Sequence, residues 1–163
     1  MKTLEDLFEH QLKDLYSVEI QLVPALSTMA KMASDYKLRR AFENHLRETK
    51  EQKNRLEAIL DELHITPQEA TCKTMEGLIK EVKIFISQAE DDEVIDIGLM
   101  AEAQRVEHYE ISGYGTAIRY ARELGYRAIA NKLQDSLNEE YDADNIMGKL
   151  AEVRLNKKAI NEI

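Results

Sequence analysis

Three glutamates stand where a helical core wants apolar side chains. Glu19 falls between Leu15 and Leu22, Glu107 between Gln104 and Ile111, and Glu140 between Leu133 or Ser136 and Met147. Spacings of three and four put each on the apolar stripe of its own helix. A fourth, Glu48, lies on the flank of its stripe, three residues after His45 and four before Gln52. An ionised carboxylate is seldom buried uncompensated, because desolvating it costs several kcal/mol even after relaxation. The obvious counter-ions are missing from these middle layers, since Arg47, Lys50, Arg105 and Arg119 all project to other faces. Four inward carboxylates from four helices suit a pair of divalent metal ions, whose charge offsets that of the ligands and whose oxygen coordination needs no cysteine. The competing reading is a metal-free layer whose carboxyls share protons, hold water or face a half-exposed groove.

Other polar groups collect at the same level. Gln104 lies on the stripe of Glu107, and Asp144 comes one turn beyond Glu140. His45 is on the inner stripe, where it serves either as a ligand or as a hydrogen-bonding support behind the ligands. Tyr16 and Tyr114 come near the carboxylates, in reach of a ligand oxygen, although packing alone accounts for them. His108 is rotated about 100° from Glu107, and His10 and His64 lie near helix ends, so structural roles are expected for these three. Gly113-Tyr114-Gly115 lacks the third glycine and preceding strand of a dinucleotide fingerprint and reads as close helix packing. Neither His-Glu-x-x-His nor Gly-x-Ser-x-Gly occurs, which removes zincin and hydrolase readings.

The elements that must position these groups are helices throughout, with no sustained alternation of the kind a strand shows. A first long helix has Thr3 as N-cap and ends near Ala33. At 1.5 Å per residue it is about 45 Å long. A break at Ser34-Asp35 leads into a second stripe of Leu38, Phe42, Leu56, Ile59 and Leu63 that closes near His64, so the two helices are antiparallel neighbours. Thr66-Pro67-Gln68-Glu69 has the form of a capping box opening a brief helix that ends at Cys72. A modest helix follows from about Thr74 to Ala89. Asp91-Asp92-Glu93 then starts a third long helix, carrying Ile97, Met100, Ile111, Tyr114 and Ile118, which Gly125 terminates. Ile129, Leu133, Leu137, Met147 and Leu150 mark the fourth, and residues 156–163 read as a fraying tail. Two antiparallel pairs joined by a long helical crossover describe an all-α four-helix bundle, one domain spanning residues 1–163.

Of 163 residues, 33% are charged and 44% hydrophobic, with six Gly and two Pro, a composition that fits a folded domain better than disordered or fibrous classes. Asp and Glu number 31 against 22 Lys and Arg, and the net charge of -9 disfavours nucleic acid and anionic membrane as partners. Cys72 is the single cysteine, which excludes an internal disulfide or a zinc ribbon. Met-Lys-Thr-Leu-Glu-Asp-Leu is not the apolar run of a signal peptide, and no stretch approaches the roughly 18 apolar residues of a membrane span, so cytoplasm is expected.

Four segments carry a resemblance over nearly the whole chain. They are Asp14-Leu-Tyr-Ser-Val-Glu19-Ile-Gln-Leu, Phe42-Glu-Asn-His-Leu-Arg-Glu-Thr-Lys-Glu-Gln52, Ala103-Gln-Arg-Val-Glu-His-Tyr-Glu-Ile111 with Tyr114-Gly115-Thr116, and Leu137-Asn-Glu-Glu140 with Asp144. Together they resemble the YciE/YciF family of ferritin-like bacterial proteins, nearer its YciE branch. The resemblance implies a ferritin-like bundle, a homodimer and a link to stress responses, without a settled activity. Carried over from the wider ferritin-like class, the metal ligands would be Glu19, Glu48, Glu107 and Glu140, with Glu48 and Glu140 bridging two ions, Fe or Mn. Asp144 and Gln52 would be weaker ligands or supports. Fe(II) oxidation by oxygen or peroxide is the reaction such a site implies. The chain departs from the class at both Glu-x-x-His motifs: Glu48 is followed at plus three by Glu51, and Glu140 by Ala143. A mainly oxygen-ligated, harder site is therefore expected.

Overall fold

In the computed structural model the backbone is described for residues 1–67 and 71–161, and the side chains for residues 1–67 and 71–153. Among the described residues five helices follow one another: α1 (Leu4–Met32), α2 (Tyr36–Glu62), α3 (Lys73–Gln88), α4 (Asp92–Glu123) and α5 (Arg127–Asn161). The four long ones form the bundle, and α3 is the crossover between its two antiparallel pairs.

Local chemistry sets the ends. Thr3 and Asp6 form a capping box at α1, while Asp35 and Asp91 cap α2 and α4 through their side chains. After α2 and after α4 the chain makes the same turn. Ile65 N–H donates to the Leu60 carbonyl and His64 N–H to Asp61, just as Tyr126 donates to Ala121 and Gly125 to Arg122. The residue that turns left-handed is Gly125 in one case and His64, at φ 56°, in the other. His64 thus ends a helix, and its role there is conformational. One expectation needs correction. The brief helix at Thr66 to Glu69 falls partly outside the described residues, and 65–67 and 71–72 are not helical. The backbone of the terminal segment expected to fray continues α5 as far as Asn161.

Pairing directions can be read from contacts. Ser34 meets Asp96 and Glu19 meets Tyr114, so α1 and α4 are antiparallel; Arg55 meets Ser136 and Gln52 meets Glu140, so α2 and α5 are too. The crossover α3 seats Phe85 directly on Gly98 of α4, where an added Cβ would come within 1.9 Å of the ring. Only glycine admits that approach. The α1–α2 turn is tied to the bundle by Asp96 of α4, fully buried, which accepts from Ser34 N–H at 2.8 Å, Ser34 Oγ at 2.6 Å and Asp35 N–H at 3.0 Å.

The core is in two parts. One apolar cluster contains Val18, Leu22, Phe42, Val106 and Met147; the other contains Leu15, Leu56, Tyr114, Leu133 and Leu137. Each long helix passes from one cluster to the other through a buried polar residue. No helix among the described residues is long and apolar enough to cross a membrane. Because Asp96 satisfies three donors at one turn, Asp96→Ala is expected to lower stability by about 3 kcal/mol, the scale for buried charge-assisted hydrogen bonds, measured by urea unfolding. Gly98→Val should likewise lower the midpoint, by expelling the Phe85 ring.

Candidate metal centre

The polar layer between the clusters is built from one or more residues on each long helix. Glu19 comes from α1, His45, Thr49 and Gln52 from α2, Glu107 and Glu110 from α4, and Ser136 and Glu140 from α5, all 2% exposed or less. Within it, one atom from each of His45, Glu107, Glu110 and Glu140 can be chosen so that all lie within 4.8 Å of one another. His45 Nε2 is 3.2 Å from Glu107 Oε2 and 3.9 Å from Glu140 Oε2. Yet both imidazole nitrogens, both oxygens of Glu107 and of Glu110, and Oε2 of Glu140 lack any hydrogen-bond partner among the described residues. Oxygen facing oxygen has two remedies, a proton or a cation.

Glu19 and Tyr114 sit beside this group. The Tyr114 hydroxyl donates to Glu19 Oε1 in a short hydrogen bond, leaving Oε2 unpartnered. Burial pushes the Glu19 carboxyl up from its ordinary 4.5 to about 8, against the pull of Tyr114 and His45. Burial and the neighbouring carboxylates Glu140, Glu19 and Glu107 raise Glu110 well above the usual range, and burial with Glu107 and Glu19 does the same for Glu140. His45 moves up as well: burial opposes its charge, but the carboxylates of Glu107 and Glu140 outweigh that. Without a cation, the layer is one that retains protons.

The remaining expected site residues lie outside the convergent four. Glu48 is 37% exposed, its Oε2 at 3.8 Å from His45 Nδ1, and does not join the cluster. The reason is angular: α2 turns His45, Thr49 and Gln52 inward, which leaves position 48 on the flank. Asp144 is a quarter exposed, accepting from Gln104 Nε2 at 3.0 Å and paired with the exposed His108 at 3.2 Å. Gln104 therefore holds Asp144 rather than Glu107. Tyr16 is partly buried against the second apolar cluster. Gln52 is fully buried and donates to Glu140 Oε1 at 2.6 Å. Of the two roles open to His45, the structure puts its ring in the cluster itself, which adds a nitrogen to a set expected to be mainly oxygen. Cys72, in the crossover region, is buried with Sγ 3.1 Å from the Tyr109 hydroxyl, remote in role from this layer.

Glu110 is the residue that sequence reasoning missed. A stripe drawn through the bulky Ile97, Gln104 and Ile111 puts position 110 off the core face. In the structure Ile97, Gln104 and Ile111 are only partly buried, and the buried line runs through Leu99, Ala103, Val106, Glu110, Tyr114, Ala117 and Ala121. The alanines at 103, 117 and 121 were the available signal, because small side chains mark where helices approach most closely.

Residues 3–160 match the family model described as Domain of unknown function (DUF892). The chain belongs to the DUF892 family. It is 44% identical to Protein YciF of Escherichia coli (strain K12) over 163 residues, covering 99% of this chain and 98% of that one. The crystal structure of the Escherichia coli stress protein YciF superposes with a TM-score of 0.92, over 96% of this chain and 99% of that one. YcfI from Rhodopseudomonas palustris, 38% identical, gives a TM-score of 0.87 over 91% of this chain and 94% of that one. A protein from Xanthomonas campestris pv. campestris at 21% identity and a TM-score of 0.76 shares the fold, over 98% of this DUF892 chain and 97% of its own.

The raised carboxyls set a pH dependence for the metal-free protein. Between 4.5 and about 8 the folded chain holds a proton on Glu19 that the unfolded chain has released, so stability falls as pH rises through that window. Glu110, Glu140 and His45, also raised, act in the same direction. Thermal melts in the presence of a chelator should therefore give a Tm that is highest near pH 5 and lower at pH 8. Glu110→Leu, which replaces an unpartnered buried carboxyl by an apolar side chain, should raise the chelated protein's stability by about 1–4 kcal/mol.

Proposed function

We propose that this protein is a stress-associated metal binder that takes divalent cations, Fe or Mn, into the polar layer of its bundle and oxidises Fe(II) with oxygen or peroxide. The observation that supports the reading is the convergence of four buried donor residues, most of whose facing atoms have no hydrogen-bond partner among the described residues. The donor set fits a first-row transition ion better than Mg or Ca, because His45 contributes a nitrogen to three carboxylates. Glu19, whose Oε2 has no hydrogen-bond partner among the described residues, offers an oxygen for a second ion. Likeness to the Escherichia coli stress protein supports the stress association.

The chain's own residues have definite tasks in this scheme. Glu107, Glu110 and Glu140 supply anionic oxygens, and His45 supplies a nitrogen once it gives up its proton. Protons held on Glu19, Glu110 and Glu140 leave as cations enter, so uptake releases acid. Tyr114 fixes Glu19 and Gln52 fixes Glu140. The two apolar clusters on either side keep bulk water away. With Fe(II) as substrate, two ions give one electron each to hydrogen peroxide, which takes two protons and leaves as two waters.

A second reading, a metal-free interaction protein with a protonated layer, is favoured by the raised carboxyls alone. Metal analysis separates the two. Protein purified after growth with iron and manganese is expected to carry stoichiometric metal, with anomalous scattering between His45, Glu107, Glu110 and Glu140. Added metal at 100 times Kd should stabilise the wild type by about 2.7 kcal/mol, and Glu107→Gln should abolish that rise. Metal-free wild-type protein with no anomalous signal would leave the protonated layer as the explanation.

A further inference from the structure

Outside the convergent four, a chain of hydrogen bonds runs from the bundle's edge to one of them. Arg55 grips Glu139 with both ends of its guanidinium, Nη1 to Oε2 at 3.0 Å and Nη2 to Oε1 at 3.1 Å, and Nη1 also donates to Ser136 Oγ at 2.6 Å. Glu139 Oε2 accepts in turn from Gln52 Nε2 at 2.9 Å, and the same nitrogen donates to Glu140 Oε1 at 2.6 Å. The Gln52 amide therefore spends both its hydrogens on two carboxylates. That fixes which end is nitrogen, since an amide oxygen there would face two anions. Gln52 Oε1 and Glu140 Oε2, both buried, have no hydrogen-bond partner among the described residues, and His45 Nε2 lies 3.9 Å from the latter.

We infer that Arg55 and Glu139 are positioning residues for the metal centre, acting through Gln52 to hold Glu140 with one oxygen tethered and the other presented to a cation. The inference rests on the metal reading proposed above. The guanidinium fork matches the carboxylate in two places, so Glu139 has one orientation rather than a swarm of rotamers. Glu139 in that orientation gives Gln52 a second anchor, and an amide anchored twice cannot swing away from Glu140. Arg55 and Glu139 are 21% and 24% exposed, so the device sits at the rim and its removal leaves the apolar clusters intact.

Replacing Arg55 alone would also alter the charge near the centre, so the decisive variant is the charge-neutral pair Arg55→Leu with Glu139→Leu. Co(II) serves as probe, because its visible absorption bands report coordination geometry. The double variant is expected to bind Co(II) roughly 10- to 100-fold more weakly than wild type, with altered bands. Arg55→Lys, which keeps the charge but loses the fork, should fall between. Circular dichroism checks that each variant is folded, and if the double variant misfolds, Gln52→Leu, which removes the relay itself, takes its place and is expected to show the same weaker Co(II) binding and altered bands. Wild-type affinity and bands in the double variant, with binding lost in Glu107→Gln, would overturn the positioning role alone. No Co(II) uptake by the wild type would overturn the metal reading and this inference with it.

Discussion

Carboxylate oxygens facing one another in a dry layer are the constraint on which the structure depends. At an effective dielectric of about 20, two unit negative charges roughly 5 Å apart repel by about 3 kcal/mol, before either one's desolvation is counted. Glu19, Glu107, Glu110 and Glu140 accumulate several such pairs, and among the described residues none of them is ion-paired to Lys or Arg. His45 supplies the basic group on hand, reaching Glu107 and Glu140. The layer is consequently left needing protons or cations to offset its charge.

The bundle is arranged so that this costly layer does not unravel. Apolar clusters lie on both sides of it along every long helix, so a shift that exposed the glutamates would uncover one or the other. Helices of 27 to 35 residues carry the load, far longer than the layer requires, and the surplus length is what builds the clusters. Away from the layer, buried polar groups are paired within the protein. Asp96 is the clearest instance: equally buried, it meets three donors and holds the α1–α2 turn against α4. The contrast between Asp96 and Glu110 separates a carboxylate used as a structural tie from one left waiting for a partner.

Membership of the DUF892 family and the close superposition on YciF place the architecture beyond the particular side chains. What the side chains add is the composition of the layer: one nitrogen and three carboxylates in the convergent set, with a phenol and an amide each holding one carboxylate in place. Positions 51 and 143, where the ferritin-like motif has histidine, are Glu and Ala in this chain, and the histidine of the layer is His45 on α2. His45 precedes Glu48 by three residues instead of following it by three.

The order, direction and approximate limits of the long helices were legible in the chain because caps and stripes are local: Thr3, Asp35, Asp91 and Gly125 act within a turn of themselves. So were the polar interruptions at Glu19, Glu107 and Glu140, since a charge on an apolar stripe is visible wherever the stripe is. The angle at which each stripe meets its neighbours was not. On α2 and α4 a rotation of a fraction of a turn separates Glu48 outside from His45 inside, and brings Glu110 in while Gln104 stays at the edge. That angle is chosen by how closely the backbones approach, through Ala103, Ala117 and Ala121 on α4 and the partners packed on them. It belongs to the assembled bundle and to no single helix, and for that reason the membership of the buried polar layer came from the tertiary structure while the scaffold came from the sequence.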